Sequence, residues 1–256
     1  MHSFLVLPYA DRSRKVFGQR MPRCMPRWAL VFVLVILGLL ISACGSWEPL
    51  APDTSISDTD EPIPGSAGLG DPFYPLMGNG GYDVQHYALT LDVDVPTNVI
   101  SGTATIDAES LHALSAFNLD LAGMEVLSVT VDDQNADYRR VGDELTILPA
   151  APIASDSPFI VVVRYVGEPE PIIDPGASYS EVGWMPQPGG SFVASEPSGA
   201  KGWYPVNNHP LDKALYTFDI RVPSDYMAAA NGVLVDEQEM GERTSYRWAA
   251  SQPIAS

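Results

Sequence analysis

Basic residues are scarce in this sequence. Lysine and arginine together number 14 against 32 aspartates and glutamates, a formal charge of −18 over 256 residues. Nucleic-acid binding depends on clustered Lys and Arg against phosphates, so this composition argues against a nucleic-acid partner. An acidic surface keeps a protein soluble and repels anionic partners, but it identifies no substrate.

Cysteine is also scarce, and the common catalytic motifs are missing. Two cysteines are too few for a disulfide framework or a Cys-based zinc knuckle. There is no His-Glu-x-x-His and no Gly-x-Ser-x-Gly, so neither a helical zinc pair nor a nucleophile elbow is present. His209 and Asp212 lie close in sequence, and we interpret them as a polar turn. We therefore expect this chain to contain no catalytic residue and to bind no metal by itself.

An apolar run near the amino terminus predicts an export signal. Residues 28–41 are uncharged and almost wholly apolar, shorter than the roughly 20 residues that span a bilayer. Arg23 and Arg27 precede the run, and Ile-Ser-Ala-Cys at 41–44 resembles the bacterial lipobox. Residues 1–43 are thus predicted to be a lipoprotein signal peptide, with Cys44 lipidated on the extracytoplasmic face of the cell membrane. An uncleaved anchor with an incidental cysteine is the alternative, and Met21 or Met25 is an alternative start.

The remaining chain divides into a tether and a β-rich body. Residues 44–72 are rich in Pro and acids, without periodicity, and predict a disordered linker. From residue 73 to 256 the pattern is β: residues 87–95 alternate apolar with polar, and 159–166 form a nearly continuous apolar run typical of a central strand. We predict an all-β, mostly antiparallel domain with sequence-adjacent strands.

One segment, residues 167–210, breaks this pattern. It contains eight prolines and few alternations, and its tryptophans favour an ordered loop over a disordered one. Glu196 follows a short apolar stretch and precedes Pro197. A carboxylate held at a strand end can receive a ligand's ammonium group. From residue chemistry alone, a solvated loop glutamate is the simpler interpretation.

Three stretches together resemble the opening domain of the zinc aminopeptidase family that contains aminopeptidase N. The first is residues 70–92, with Gly-Asn-Gly-Gly-Tyr-Asp-Val-Gln-His-Tyr at 78–87. The second is residues 195–214, which begin Ser-Glu-Pro-Ser-Gly-Ala-Lys-Gly-Trp-Tyr-Pro, and the third is the strand, Val-Pro turn and Ala-Asn-Gly of residues 216–235. The resemblance implies a saddle-like β-sandwich domain that precedes a zinc domain in the intact enzyme. It also implies that Glu196 helps to bind the free α-amino group of a peptide substrate.

The resemblance leaves the zinc domain outside these residues. It implies zinc in the intact enzyme, with this chain inactive alone, incomplete at its carboxyl end and separated from a missing catalytic domain. A non-catalytic surface lipoprotein that binds peptides or a partner protein is the second hypothesis. A carbohydrate-binding sandwich with Trp184 and Trp203 as its platform is the third, although burial explains these tryptophans better.

Overall fold

The computed structural model describes residues 3–8, 61–174 and 181–256. This part of the chain folds almost entirely into β-strands, with a 3-10 turn at Ala200–Gly202. The strands are β1 (Ser3–Pro8), β2 (Ile63–Pro64), β3 (Tyr82–Asp94), β4 (Val99–Ser110), β5 (Leu114–Asp120), β6 (Glu125–Val131), β7 (Gln134–Asn135), β8 (Asp137–Val141), β9 (Glu144–Leu148), β10 (Pro158–Gly167), β11 (Ile172–Ile173), β12 (Glu181–Gln187), β13 (Gly190–Ala194), β14 (Lys213–Pro223), β15 (Tyr226–Ala229), β16 (Val233–Met240) and β17 (Arg243–Ala255). Within the described ranges, no helix is long and apolar enough to cross a membrane.

The strands of the described residues form three sheets. The largest has the order β16-β17-β14-β3-β4-β10-β6-β7, the second β11-β12-β13-β1-β15, and the third β2-β5-β9-β8. Most neighbours are antiparallel, whereas β3 and β14 are parallel, as are β2 and β5. The prediction of an all-β, mostly antiparallel fold is confirmed.

Alternating side chains place one face of the long strands in the core. In β3, Leu89 and Leu91 are buried while Thr90 between them is exposed, as the period of two requires. The apolar run at 159–166 lies within β10, which pairs with β4 on one side and β6 on the other. It is the central strand that its composition predicts.

A cluster of buried tyrosines joins the large sheet to the segment after β13. Tyr87 of β3 stacks on Tyr216 of β14, with ring centroids 4.9 Å apart, and meets Tyr204 edge-on at 5.6 Å. The hydroxyls of Tyr204 and Tyr216 are 3.2 Å apart. Stacked and edge-on pairs add to the stabilisation from burial, so this cluster fixes the position of the loop on the sheet.

Two segments without a strand pattern nevertheless lie in sheets. Ile63 of β2 pairs with Leu114, so a described strand precedes the predicted domain boundary at residue 73. Strands β12 and β13 form a hairpin inside the segment that sequence reading treats as irregular. Short strands such as these carry too few alternations to be recognised by period.

The amino-terminal residues supply a further strand. Ser3–Pro8 forms β1, paired with β13 and β15, although residues 1–43 are predicted to be a signal peptide. Cys44, Met21, Met25, the apolar run at 28–41 and residues 44–60 lie outside the described residues.

Candidate functional site at the loop of residues 195–212

Hydrogen bonds fix the start of the loop that follows β13. The indole Nε1 of Trp203 donates to Ser195 Oγ at 3.0 Å, and the Gly199 amide donates to the Ser195 carbonyl at 2.6 Å. Ser198 Oγ donates to a carboxylate oxygen of Asp174 at 2.6 Å. These serines are buried, so both polar groups are satisfied inside the protein. The segment is an ordered loop, as the sequence predicts.

Glu196 projects from this rigid base into solvent. It lies two residues after the end of β13, and its peptide bond to Pro197 is cis. Its side chain is exposed and makes no hydrogen bond or ion pair with any described residue. The structure therefore offers a free carboxylate at a strand end, in the place that the sequence indicates.

A close backbone approach holds the loop against the hairpin. A Cβ atom on Gly199 would collide with the backbone nitrogen of Gly183 in β12. Gly183 has φ +94°, a conformation that favours glycine. Two glycines thus allow the hairpin and the loop to touch, which positions Glu196 relative to both.

Beneath the loop lies a buried polar cluster that sequence reading missed. Asn79 Nδ2 donates to Asp120 Oδ2 at 3.0 Å, and the Asn208 amide donates to the same oxygen at 3.2 Å. Asn207 Nδ2 donates to the Asn79 carbonyl at 3.1 Å, and the Asn207 amide donates to the Tyr87 hydroxyl at 3.0 Å. The adjacent Asn207 and Asn208, which closely follow Trp203 and Tyr204, are the sequence feature that could have indicated this cluster. Their role is to tie the loop to the strands.

Two aspartates near this cluster have strongly raised pKa values. Burial raises the pKa of Asp120 to about 7, with the charge of Glu144 adding to it and hydrogen bonds from Asn208 and Asn79 opposing it. Burial likewise raises the pKa of Asp212 to about 7, and Asp83 adds to the shift. The desolvation of each carboxylate outweighs its hydrogen bonds, so both groups bind protons near neutral pH.

The histidines serve local contacts in this structure. His209 Nδ1 accepts the Leu211 amide at 3.1 Å, and its Nε2 lies 3.9 Å from Asp71 Oδ2. His86 on β3 contacts Thr217 Oγ1 at 3.0 Å and Asp107 Oδ2 at 3.3 Å. In the ranges that the structure covers, no three His, Cys, Asp or Glu side chains group together as metal ligands. The described residues therefore do not fit a zinc site.

Comparison with known proteins decides the family. Residues 83–256 match the family described as the Peptidase M1 N-terminal domain, well over half of the chain. The chain belongs to the M1 peptidase family. The matched region of this M1 N-terminal domain includes the loop, Glu196 and the cluster residues Asp120, Asn207 and Asn208, whereas Asn79 lies before it. The predicted resemblance to the zinc aminopeptidases is thereby confirmed.

Solved structures agree with this assignment. An M1 zinc metallopeptidase from Deinococcus radiodurans, bound to a Tyr-Ser-Ala substrate, is 30% identical with a TM-score of 0.69. The match covers 73% of the present chain and 43% of that protein. Aminopeptidase A from Legionella pneumophila, in complex with aspartic acid, matches 69% of this chain and 20% of its own at 21% identity and a TM-score of 0.59. It supports the fold alone. The M1 N-terminal domain thus spans less than half the length of these relatives.

The tryptophans of the M1 N-terminal domain do not form a ligand platform. Trp184 and Trp203 are 0% and 1% exposed, with ring centroids 6.3 Å apart. Trp184 Nε1 donates to Asn98 Oδ1 at 2.9 Å. Both rings are core side chains, so the hypothesis of a carbohydrate platform built on them is wrong.

Proposed function

We propose that this chain is the substrate-recognition domain of a lipid-anchored zinc aminopeptidase, with the zinc site and the peptide-cleaving groups supplied from outside these 256 residues. Membership of the M1 family supports the proposal, as does the similarity to a zinc metallopeptidase bound to Tyr-Ser-Ala. In such an enzyme the zinc supplies a Lewis acid and an activated water. The residues of this chain contribute substrate binding and orientation.

Glu196 is the observation that carries the proposal. Its backbone is held by the buried Ser195 and Ser198 contacts, while its carboxylate remains exposed and has no partner among the described residues. A fixed carboxylate of this kind binds an ammonium group through charge-assisted hydrogen bonds. Its role is to accept the α-amino group of a peptide and set the position of the first residue. Recognition then requires a free amino terminus.

A peptide titration tests this role. We expect the free-amine peptide Tyr-Ser-Ala to perturb the amide NMR signals of residues 194–199, and N-acetylation of the peptide to abolish the effect. Glu196→Gln keeps the side-chain size but removes the charge, so it weakens binding at least fivefold, in line with about 1.5–3 kcal/mol for a hydrogen bond to a charged group, reduced by exposure to solvent.

Glu237→Gln is the matched control, because Glu237 is an exposed glutamate on β16. We expect this variant to bind like the wild type. Equal binding of the free and acetylated peptides, or equal binding by Glu196→Gln and the wild type, would show that Glu196 does not recognise the amine.

A further inference from the structure

The amino-terminal strand joins two strands that do not pair with each other. β1 is antiparallel to β13 from Ser3↔Ala194 to Val6↔Ser191, and antiparallel to β15 from Leu5↔Ala229 to Pro8↔Tyr226. Among the described residues, β15 has no other sheet partner. Without β1, the facing main-chain groups of β13 and β15 would bound an open slot, which we call the β13–β15 slot.

Among Leu5, Val6 and Leu7 of β1, the slot buries one side chain. Val6 is fully buried, whereas Leu5 and Leu7 on the opposite face are 39% and 44% exposed. A Cβ atom on Gly190 would collide with the carbonyl oxygen of Val6, so the two backbones lie against each other. Main-chain pairing plus one inward aliphatic side chain is the recognition pattern of strand addition to a sheet edge.

The strand that fills the slot, β1, is far in sequence from the strands that it pairs with. Residues 9–60 separate β1 from the next described segment, so β1 enters the sheet across a long connection. The cost of closing such a loop rises only slowly with its length, so even this long connection keeps β1 near the slot at a raised effective concentration. A peptide in trans therefore competes with a tethered strand, and a change that weakens the pairing of β1 exposes the slot to it.

We propose that the β13–β15 slot is a strand-acceptor site that binds an extended, uncharged peptide in trans, with an aliphatic residue at the Val6 position, and that Ser3–Pro8 is its exchangeable occupant. The net charge of −18 disfavours acidic peptides. The exposed Leu5 and Leu7 positions tolerate a range of side chains. The proposal rests on the main-chain pairing of β1 with residues 191–194 and 226–229, so strand exchange tests it separately from the amine recognition proposed for Glu196.

Displacement of the internal strand tests the proposal in the full chain. Val6→Asp places a charge in the buried position and weakens the hold of β1, whereas Leu7→Asp alters an outward position as the matched control. The probe is a fluorescein-labelled Ser-Phe-Leu-Val-Leu-Pro peptide followed by fluorescence anisotropy. We expect the Val6→Asp chain to bind the probe at least tenfold more tightly than the wild type or Leu7→Asp. A probe with Asp in place of its valine should not bind.

A second measurement applies if Val6→Asp lacks the far-ultraviolet circular dichroism of a β protein. A protease site placed within residues 45–56 of the otherwise wild-type chain is cut after folding, and the labelled probe is then added in excess. Replacement of the cut fragment by the probe supports the proposal. Retention of the fragment without exchange, or its loss without probe binding, overturns it. Sedimentation then shows whether the chain has dimerised. If strand exchange between two copies of the chain accounts for all loss of the fragment, the proposal is also overturned.

Discussion

Asp120 is a buried carboxyl group whose hydrogen bonds do not offset its desolvation. Its pKa of about 7, like that of Asp212, lies above the value of about 3.9 expected in the unfolded chain. Between about pH 4 and pH 7 the folded state therefore binds more protons than the unfolded state. By linkage, these two groups lower the free energy of unfolding as the pH rises through that window, and their effect is constant above it.

We expect the melting temperature to be higher at pH 5 than at pH 8, measured by thermal denaturation across that range. Asp120→Asn keeps an oxygen that accepts from Asn79 and Asn208 but carries no charge. The variant should be more stable than the wild type at pH 8 by on the order of a few kcal/mol, with a smaller difference at pH 5.

Asp137→Asn, at an exposed position on β8, is the control and should follow the wild-type profile. A wild-type profile that rises steadily from pH 5 to pH 8, or Asp120→Asn with unchanged pH dependence, would contradict a raised pKa at Asp120.

At the scale of elements, the contact between β12 and the loop after β13 depends on two glycines. Gly199→Ala places a methyl group against the backbone of Gly183, which cannot move as a flexible side chain can. We expect a loss of about 1–3 kcal/mol or more in the free energy of unfolding, measured by urea denaturation. A weaker affinity for the free-amine peptide should accompany it, because the loop that carries Glu196 is displaced.

The control for this change is Gly142→Ala in the turn between β8 and β9. A methyl group there has open space around it, although φ is +62°. It should cost only the backbone strain of about 1 kcal/mol and leave peptide binding unchanged. A Gly199→Ala chain as stable as Gly142→Ala would argue against a tight contact between hairpin and loop.

The elements that the sequence predicts are those with a strong local pattern. β3 is recognised by its alternation and β10 by its nearly continuous apolar run, since both patterns act over short distances along the chain. The parallel pairing of β3 with β14 lies outside such reasoning, because those strands are far apart in sequence. The short strand β1 owes its conformation to its partners on either side, and β2 owes its conformation to β5, rather than to their own sequence patterns.

The candidate site likewise has one part that the local sequence predicts and another that depends on residues far apart in the chain. The position of Glu196 after an apolar stretch and before Pro197 is local, and a strand end was predicted there. The hydrogen bonds between Asn79 and Asn207 connect positions 128 residues apart, so only the folded structure brings them together. The raised pKa of Asp120 is equally non-local, because its cause is burial by the whole domain.

At the scale of the whole molecule, the proposed lipid anchor rests on the sequence around Cys44. We expect labelled palmitate to be incorporated into the wild-type chain in a bacterial host and not into Cys44→Ser. Cys24→Ser is the control, since Cys24 lies before the apolar run. Equal labelling of the wild type and Cys44→Ser would remove the lipobox interpretation.

If the proposed signal peptide is removed at Cys44, the position of β1 makes folding depend on export. A signal peptidase that cut before Cys44 would release Ser3–Pro8 along with the rest of the leader, and synthesis from Met21 or Met25 would never make that strand. In the precursor, β1 would fill the β13–β15 slot. In the mature lipoprotein, a strand from another molecule or segment would have to make the same main-chain hydrogen bonds. Maturation would then act as a switch that uncovers a binding edge after the protein has crossed the membrane.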